Sequence, residues 1–386
     1  MIESTRTRIL ILSILALFFS LFRGKATKVY PHTKRIGTIY LTGNVGDMIF
    51  CTPVFRALKE AMPESEMYVI GRKRNAETLQ YNPDVHEYIA CPTSAYALWR
   101  TVRGLRLDYA YLFNPSVLEV AICYLANVKA IATFSAPVPG AETKTYRMLK
   151  RLCIQIPFTA GENFAHENLK LIAPLGVTSE DTRKHLFSSK EAEESINLFF
   201  KEQGVVPRKD TVIALAPGAG TKVKQWPADR FAKLADHLYQ KHRVPLFIVG
   251  GPGDKEEFLL MSQAVLPETK LVSCLHHSID ELKAFMAQID IVIANDSAPI
   301  YVAEAFSKAT VTIIGPTDEN EHPPKGPQHR IVKSPDRGVP SLAAKISIYQ
   351  SELKEDPRLQ IEKVTIEQVI LITDELIQSM PRVLKK

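Results

Sequence analysis

Residues 36–61 read IGTIYLTGNVGDMIFCTPVFRALKEA, and this one stretch decides the fold class. Ile36–Leu41 is a short, apolar, β-branched run suited to a buried strand. Thr42 to Asp47 is a polar turn with two glycines, and a helical stretch follows from Met48 to Ala61. Strand, turn and helix in immediate succession, repeated in series, make a parallel sheet covered by helices on both faces.

The alternation continues outward. EMYVIG (66–71) reads as a strand, with a helix-like segment before Asn82-Pro83, and DYAYLF (108–113) and Ala130–Phe134 repeat the pattern. A second series opens with TVIALA (211–216), a Pro-Gly loop and a helix from about Pro227 to Lys241. PLFIV (245–249) ends in Gly250-Gly251, and Leu271–Ser273 is short. Ser278 and Glu281 form a capping box that starts a helix. Ile289–Ala294 is a strand, Ile300–Phe306 a helix, and Thr310–Ile314 a strand ending in Gly315-Pro316. Between the two series runs a polar connection, roughly Gly176 to Arg208, with Ser188 and Glu191 read as another capping box. Val364–Ile377 has the periodicity of a terminal helix. No short repeat or low-complexity tract occurs; what repeats is a doubly wound α/β half. The chain has 386 residues, beyond the roughly 250–300 at which single cores stop growing, so two domains are expected. The expected boundaries are a leader at 1–34, domains at 35–182 and 183–350, and a helical tail at 351–386.

Hydrophobic residues make up 46% and charged residues 23% of the chain, which excludes disordered, collagen-like and coiled-coil classes. The formal net charge of +6 is local: residues 1–35 hold seven basic side chains and one acid, and the remainder carries 41 of each sign. A neutral body with a basic leader argues against nucleic acid as a partner. The five cysteines (Cys51, Cys91, Cys123, Cys153, Cys274) are widely spaced without a CxxC pair, as in reduced thiols of a cytoplasmic protein. Between the basic flanks lies Ile9–Phe22, ILILSILALFFSLF. As a helix of about 21 Å it falls short of a hydrocarbon core of about 30 Å. The sequence after it offers no convincing signal-peptidase site. Attachment to the membrane surface through residues 9–22 is the expectation, on the cytoplasmic face of the inner membrane, or else a cytoplasmic protein.

In doubly wound sheets ligands bind beyond the carboxyl ends of the strands, so four loops matter. The first holds Gly43, Asn44, Gly46 and Asp47. Asp47 serves either as a helix N-cap or as a general base taking a proton from a sugar hydroxyl. The second is Gly218-Ala219-Gly220-Thr221, followed by Lys222, Lys224 and Trp226-Pro227. Its small residues let backbone N–H groups approach an anion, and either lysine is a phosphate partner or a solvated loop charge. The third, Asn295-Asp296-Ser297-Ala298-Pro299, is built of turn formers and equally suits a phosphate or sugar at a helix N-terminus. The fourth is Gly315-Pro316-Thr317-Asp318. There is no GxGxxG, no Walker A and no GxSxG elbow, and His276-His277 lacks metal-site spacing.

Together these loops resemble the heptosyltransferase family, also called glycosyltransferase family 9. The resemblance runs from about Arg35 to Thr317, carried by residues 43–71, NPDVHEYI (82–89), LAPGAGTKVKQWPADRFAKLADHL (215–238), IVGGPGD (248–254), NDSAPIYVAEA (295–305) and IIGPT (313–317). It implies a GT-B fold, two Rossmann-like doubly wound parallel-sheet domains facing across a cleft, with the acceptor on the first and a nucleotide-activated sugar on the second. By resemblance Asp47 is the catalytic base. The donor would be met by Gly218, Ala219, Gly220, Thr221, Lys224, Asp254, Asn295, Asp296, Ser297, Ala298 and Tyr301, and the acceptor-side loop is Gly43, Asn44 and Gly46. Where the family has Gly and His, this chain has Ala298 and Tyr301. The implied function is an inverting, metal-independent glycosyltransferase, with no cofactor. It would move a sugar, a heptose being one candidate, from a nucleoside diphosphate to a lipid-linked or lipopolysaccharide-type acceptor. The alternative is a membrane-tethered, inactive sugar-binding or scaffolding protein on the same fold. A nicotinamide-dependent dehydrogenase is disfavoured by the missing fingerprint.

Overall fold

Each series folds into its own six-stranded, wholly parallel sheet. The computed structural model describes residues 6–41, 43–113, 116–135, 143–159, 161–207, 209–335 and 358–380. The chain divides into two units, Met1–His185 and Leu186–Lys386.

The first unit contains α1 (Arg6–Arg23), β1 (Arg35–Tyr40), α2 (Val45–Ile49), α3 (Thr52–Ala61), β2 (Glu66–Gly71), α4 (Ala76–Leu79) and β3 (Glu87–Ala90). It continues with α5 (Ala95–Leu105), β4 (Tyr109–Leu112), α6 (Val117–Leu125), β5 (Ala130–Phe134), α7 (Lys144–Leu149), β6 (Ile154–Ile156) and α8 (Phe164–Leu169). The strand order is β3-β2-β1-β4-β5-β6, so the order reverses between β1 and β4, the place where sheets of this kind take their ligands. The central strands are buried throughout, and two apolar clusters line the two faces of the sheet. This explains why the strands read as continuous apolar runs.

The second unit holds α9 (Lys190–Glu202), β7 (Ile213–Ala216), α10 (Ala228–His242), β8 (Leu246–Ile248), α11 (Lys255–Ala264) and β9 (Leu271–Ser273). Next come α12 (Ile279–Met286), β10 (Ile291–Asn295), α13 (Ala298–Ala305), β11 (Ala309–Ile314) and β12 (His329–Lys333). Its order, β12-β11-β10-β7-β8-β9, repeats the first, with the switch between β7 and β10. The terminal helix Ile366–Ser379 packs on α10, β11 and β12.

Two local readings change. The stretch Met48–Ala61 is two helices, because α3 restarts with Pro53 in its first turn, where a missing N–H costs nothing. The capping box expected at Ser188 and Glu191 does not form, because the helix starts one residue later and its third residue is Ala192. Ser189 is the N-cap, its hydroxyl accepting from Ala192 N–H at 3.0 Å, while Ser188 donates to Glu193. The leader is anchored on the first unit. Ala26 N–H donates to Leu152 O and Ala26 O accepts from Ile131 N–H, at 2.8 and 2.9 Å, and α1 packs along α6 and α7. No helix of the described residues is long and apolar enough to cross a membrane.

Candidate active site

The strand order of the second unit sets β7 beside β10, and so brings together two loops that lie far apart in sequence. Asn295, at the end of β10 and fully buried, ties them. Its amide donates to Pro217 O at 2.7 Å, and its side-chain oxygen accepts from Trp226 N–H at 3.0 Å. Ser297 Oγ reaches Asn295 O at 3.2 Å and Gly218 O at 3.5 Å. Ser297 occupies the N-cap position of α13, with Ala298 and Pro299 opening the helix, so the positive end of the helix faces the turn.

Asp296 is 2% exposed. Its carboxylate accepts from Lys224 Nζ at 2.8 Å and from the Tyr301 hydroxyl. Burial by itself would raise this carboxyl. The Lys224 charge, the nearby His322 and the two hydrogen bonds outweigh burial and hold it well below the usual carboxylate range. Asp296 is therefore ionised and fixes the Lys224 ammonium in one place. Lys222 is exposed and turned elsewhere, to Glu256 and Glu257.

Gly218 is a close-approach glycine: a Cβ there would lie 2.0 Å from Asp254 Oδ1. Asp254 in turn accepts from Gly251 N–H at 2.7 Å, and burial raises its carboxyl. Ala219, Gly220 and Thr221 form the more open part of the loop. The structure thus gathers Gly218, Lys224, Asp254, Asn295, Asp296, Ser297 and Tyr301 at one switch point. The segment just after the fourth loop contributes His322, which nothing local in the sequence distinguishes.

In the first unit Asp47 is not the N-cap. Asn44 is, and Asp47 is the third residue of α2, its Oδ2 accepting from Asn44 N–H at 2.6 Å. Asn44 also accepts from Arg74, and Asn75 donates to Gly43 O at 2.9 Å. The backbone of this loop is therefore held from both sides, with the half-buried Asp47 at the carboxyl end of β1. Beneath it lies Glu119, fully buried, accepting from Leu41 N–H at 3.1 Å and Ser116 N–H at 2.6 Å. Burial pushes its carboxyl up to about 7 against those two hydrogen bonds.

Comparison with known proteins decides the family. The profile of glycosyltransferase family 9 (heptosyltransferase) matches residues 146–348, more than half of the chain. The chain belongs to glycosyltransferase family 9. This family 9 protein is accordingly a glycosyltransferase. It is 22% identical over 287 residues to lipopolysaccharide heptosyltransferase 3 of Escherichia coli K12, covering 71% of this chain and 80% of that protein. Its fold matches the crystal structure of a family 9 glycosyl transferase from Veillonella parvula with a TM-score of 0.75 at 21% identity, covering 92% of this chain and all of that one. It also matches E. coli ADP-heptose LPS heptosyltransferase II with a TM-score of 0.68 at 17% identity, covering 89% and 98%. These neighbours share the α/β architecture of two parallel sheets that makes up the GT-B fold.

Proposed function

We propose that this family 9 glycosyltransferase is an inverting enzyme that needs no metal. It moves a heptose from a nucleoside diphosphate, ADP-heptose, to a lipopolysaccharide-type acceptor. The observation that carries the reading is the Lys224–Asp296 pair held beside the Gly218–Thr221 loop and the N-terminus of α13, at the switch point of the second unit. Oriented N–H groups, a helix end and a fixed ammonium together suit a diphosphate. The sugar and acceptor follow from the relatives named as lipopolysaccharide and ADP-heptose heptosyltransferases.

In the proposed reaction Asp47 accepts the proton of the acceptor hydroxyl. The acceptor oxygen bonds to the anomeric carbon as the carbon–phosphate oxygen bond breaks with inversion. The leaving electron pair passes to the diphosphate, whose charge is met by Lys224, backbone N–H groups of residues 218–221 and Ser297. Asn295 and Asp254 hold the loops, and Gly43, Asn44 and Gly46 shape the acceptor side. Tyr301 donates to Asp296, so the departure from the family's His is absorbed within the cluster. The inactive scaffold reading is not favoured, because Asp47, Lys224 and the Asn295–Ser297 turn are all in place. We further propose that residues 9–22 hold the protein on the membrane surface, where a lipid-linked acceptor resides.

Thermal unfolding with a panel of nucleotide sugars tests the donor, since a ligand at about 100 times Kd adds roughly 2.7 kcal/mol. ADP-heptose is expected to raise Tm above every other member of the panel and to be consumed with acceptor present. Stabilisation by another nucleotide sugar alone would overturn the donor assignment.

A further inference from the structure

Helix α1 is built inside out. Its small residues face the protein: Ser13 and Ala16 are buried against the unit, with Ser20 partly so. Both serine hydroxyls donate back to carbonyls of their own helix, Ser13 to Ile9 O and Ser20 to Leu17 O, leaving no polar demand on that face. Of the large residues, Leu12 and Leu17 pack against the core, and most of the others face outward. Leu10, Ile11, Ile14, Leu15, Phe18, Phe19, Leu21 and Phe22 are all exposed, Leu21 and Phe22 by more than three quarters. A water-facing helix is arranged the other way round, whereas helices in lipid pack through small residues and turn large apolar ones outward. The hydrogen bonds of Ala26 to Ile131 at the start of β5 and to Leu152 fix the chain just after α1.

Alongside α1 runs an apolar groove of about 870 Å³, walled by Leu15, Phe19 and Phe22 of α1, Tyr96 and Trp99 of α5, and Leu125 of α6. Two arginines line it, each against an aromatic ring: Arg23 lies 4.6 Å from the Tyr124 ring and Arg103 lies 5.7 Å from Trp99. Arg23 also donates to Tyr124 O and Val128 O, so it is fixed in place, while Arg103 is exposed. Helices α1, α5 and α7 contain no Asp or Glu, and the acid of α6, Glu119, is buried away from this face. Arg100 and Arg147 add exposed positive charge on the flanking helices. Apolar walls, aromatic rings and a rim whose charged residues, among those described, are arginines match a lipid whose chain is apolar and whose head is anionic.

We propose that the α1–α5 groove binds one acyl chain of an anionic phospholipid, with its phosphate beside Arg103, while the outer face of α1 lies in the same leaflet. The proposal rests on the membrane-surface reading above and adds to it a specific lipid site.

Trp99 is one of two tryptophans, and the other, Trp226, is 1% exposed in the second unit, so Trp99 emission reports on the groove. The full-length protein is floated with vesicles of phosphatidylcholine alone or mixed with phosphatidylglycerol bearing brominated acyl chains. The expected result is flotation with the anionic vesicles and loss of the emission that Trp99→Phe removes. Ala95→Phe, which fills the groove, is expected to float yet keep its Trp99 emission. Phe18→Ser with Leu21→Ser, outside the groove, is expected to abolish flotation without lowering Tm. Flotation without quenching, or quenching unchanged by Ala95→Phe, overturns the groove site and leaves the membrane reading standing. Absence of flotation overturns both. A dimer that Phe18→Ser dissolves, without flotation, assigns this face to a second copy of the chain and overturns the lipid proposal.

Discussion

Replacing Lys224 by alanine tests whether this lysine holds the site together as well as meeting the donor. The change leaves the Asp296 carboxylate 2% exposed with no cation in contact. Removing one partner of a buried ion pair costs about 3–5 kcal/mol. Two features place this case near the lower figure: Tyr301 still donates to the carboxylate, and the Lys224 side chain is 16% exposed, so water reaches the ammonium's position. At about 2–4 °C per kcal/mol for a unit of this size, Tm of the second unit falls by roughly 6–12 °C. The loss is also pH-dependent. In the wild type Asp296 sits below its ordinary range, so its contribution is present above the unfolded carboxyl pKa and fades only in acid. Without Lys224, burial is opposed only by His322 and the Tyr301 hydroxyl, so the carboxyl moves up from its wild-type position and protonation relieves the cost as pH falls. The gap between wild type and Lys224→Ala should therefore narrow between pH 7 and pH 5. Lys224→Met combined with Asp296→Leu removes both charges and should recover most of the lost stability while remaining inactive. Calorimetry on the three proteins at the two pH values decides it. A Lys224→Ala variant as stable as wild type, or a double variant no more stable than Lys224→Ala, refutes the reasoning.

Three further outcomes are expected. Asp47→Asn keeps an oxygen for the Asn44 N–H, so Tm should stay close to wild type while kcat falls about 10²–10⁴-fold; undiminished turnover would exclude Asp47 as the base. Glu119, at about 7 in the folded protein, binds its proton more tightly than in the unfolded chain. It therefore costs stability as pH rises from about 4.5 to 7, on the order of 3 kcal/mol in full. Urea unfolding across that range should show a flatter pH dependence for Glu119→Gln, and an identical slope would refute the assignment. Gly218→Ala forces Asp254 off the Gly251 N–H and should cost about 1–3 kcal/mol, with Asp254→Ala in the same chain removing the additional penalty; chemical denaturation of the two variants reads this directly.

The alternation of strand and helix was legible because it is local. Strands buried on both faces must be apolar along their whole length, and β1, β2, β5, β10 and β11 stand out for that reason. Edge strands carry no such demand, and β3, β6 and β12 are short and partly exposed, so their sequences look like loops. The candidate site loops were legible too, since each directly follows a strand. Which of them meet was not. Lys224 reaches Asp296 across 72 positions, and Leu41 reaches Glu119 across 78, because strand order sets β7 beside β10 and β1 beside β4. The basic, apolar leader likewise pointed to a membrane from composition alone. Only packing against α6 shows that Ser13 and Ala16 turn inward with Leu12 and Leu17, and that eight other large residues stay exposed. Periodicity and turn chemistry act within a few residues, so the sequence by itself determines elements and loops. Pairing, burial and the charge state of a buried carboxylate depend on neighbours brought from far along the chain, and those only the tertiary structure decides.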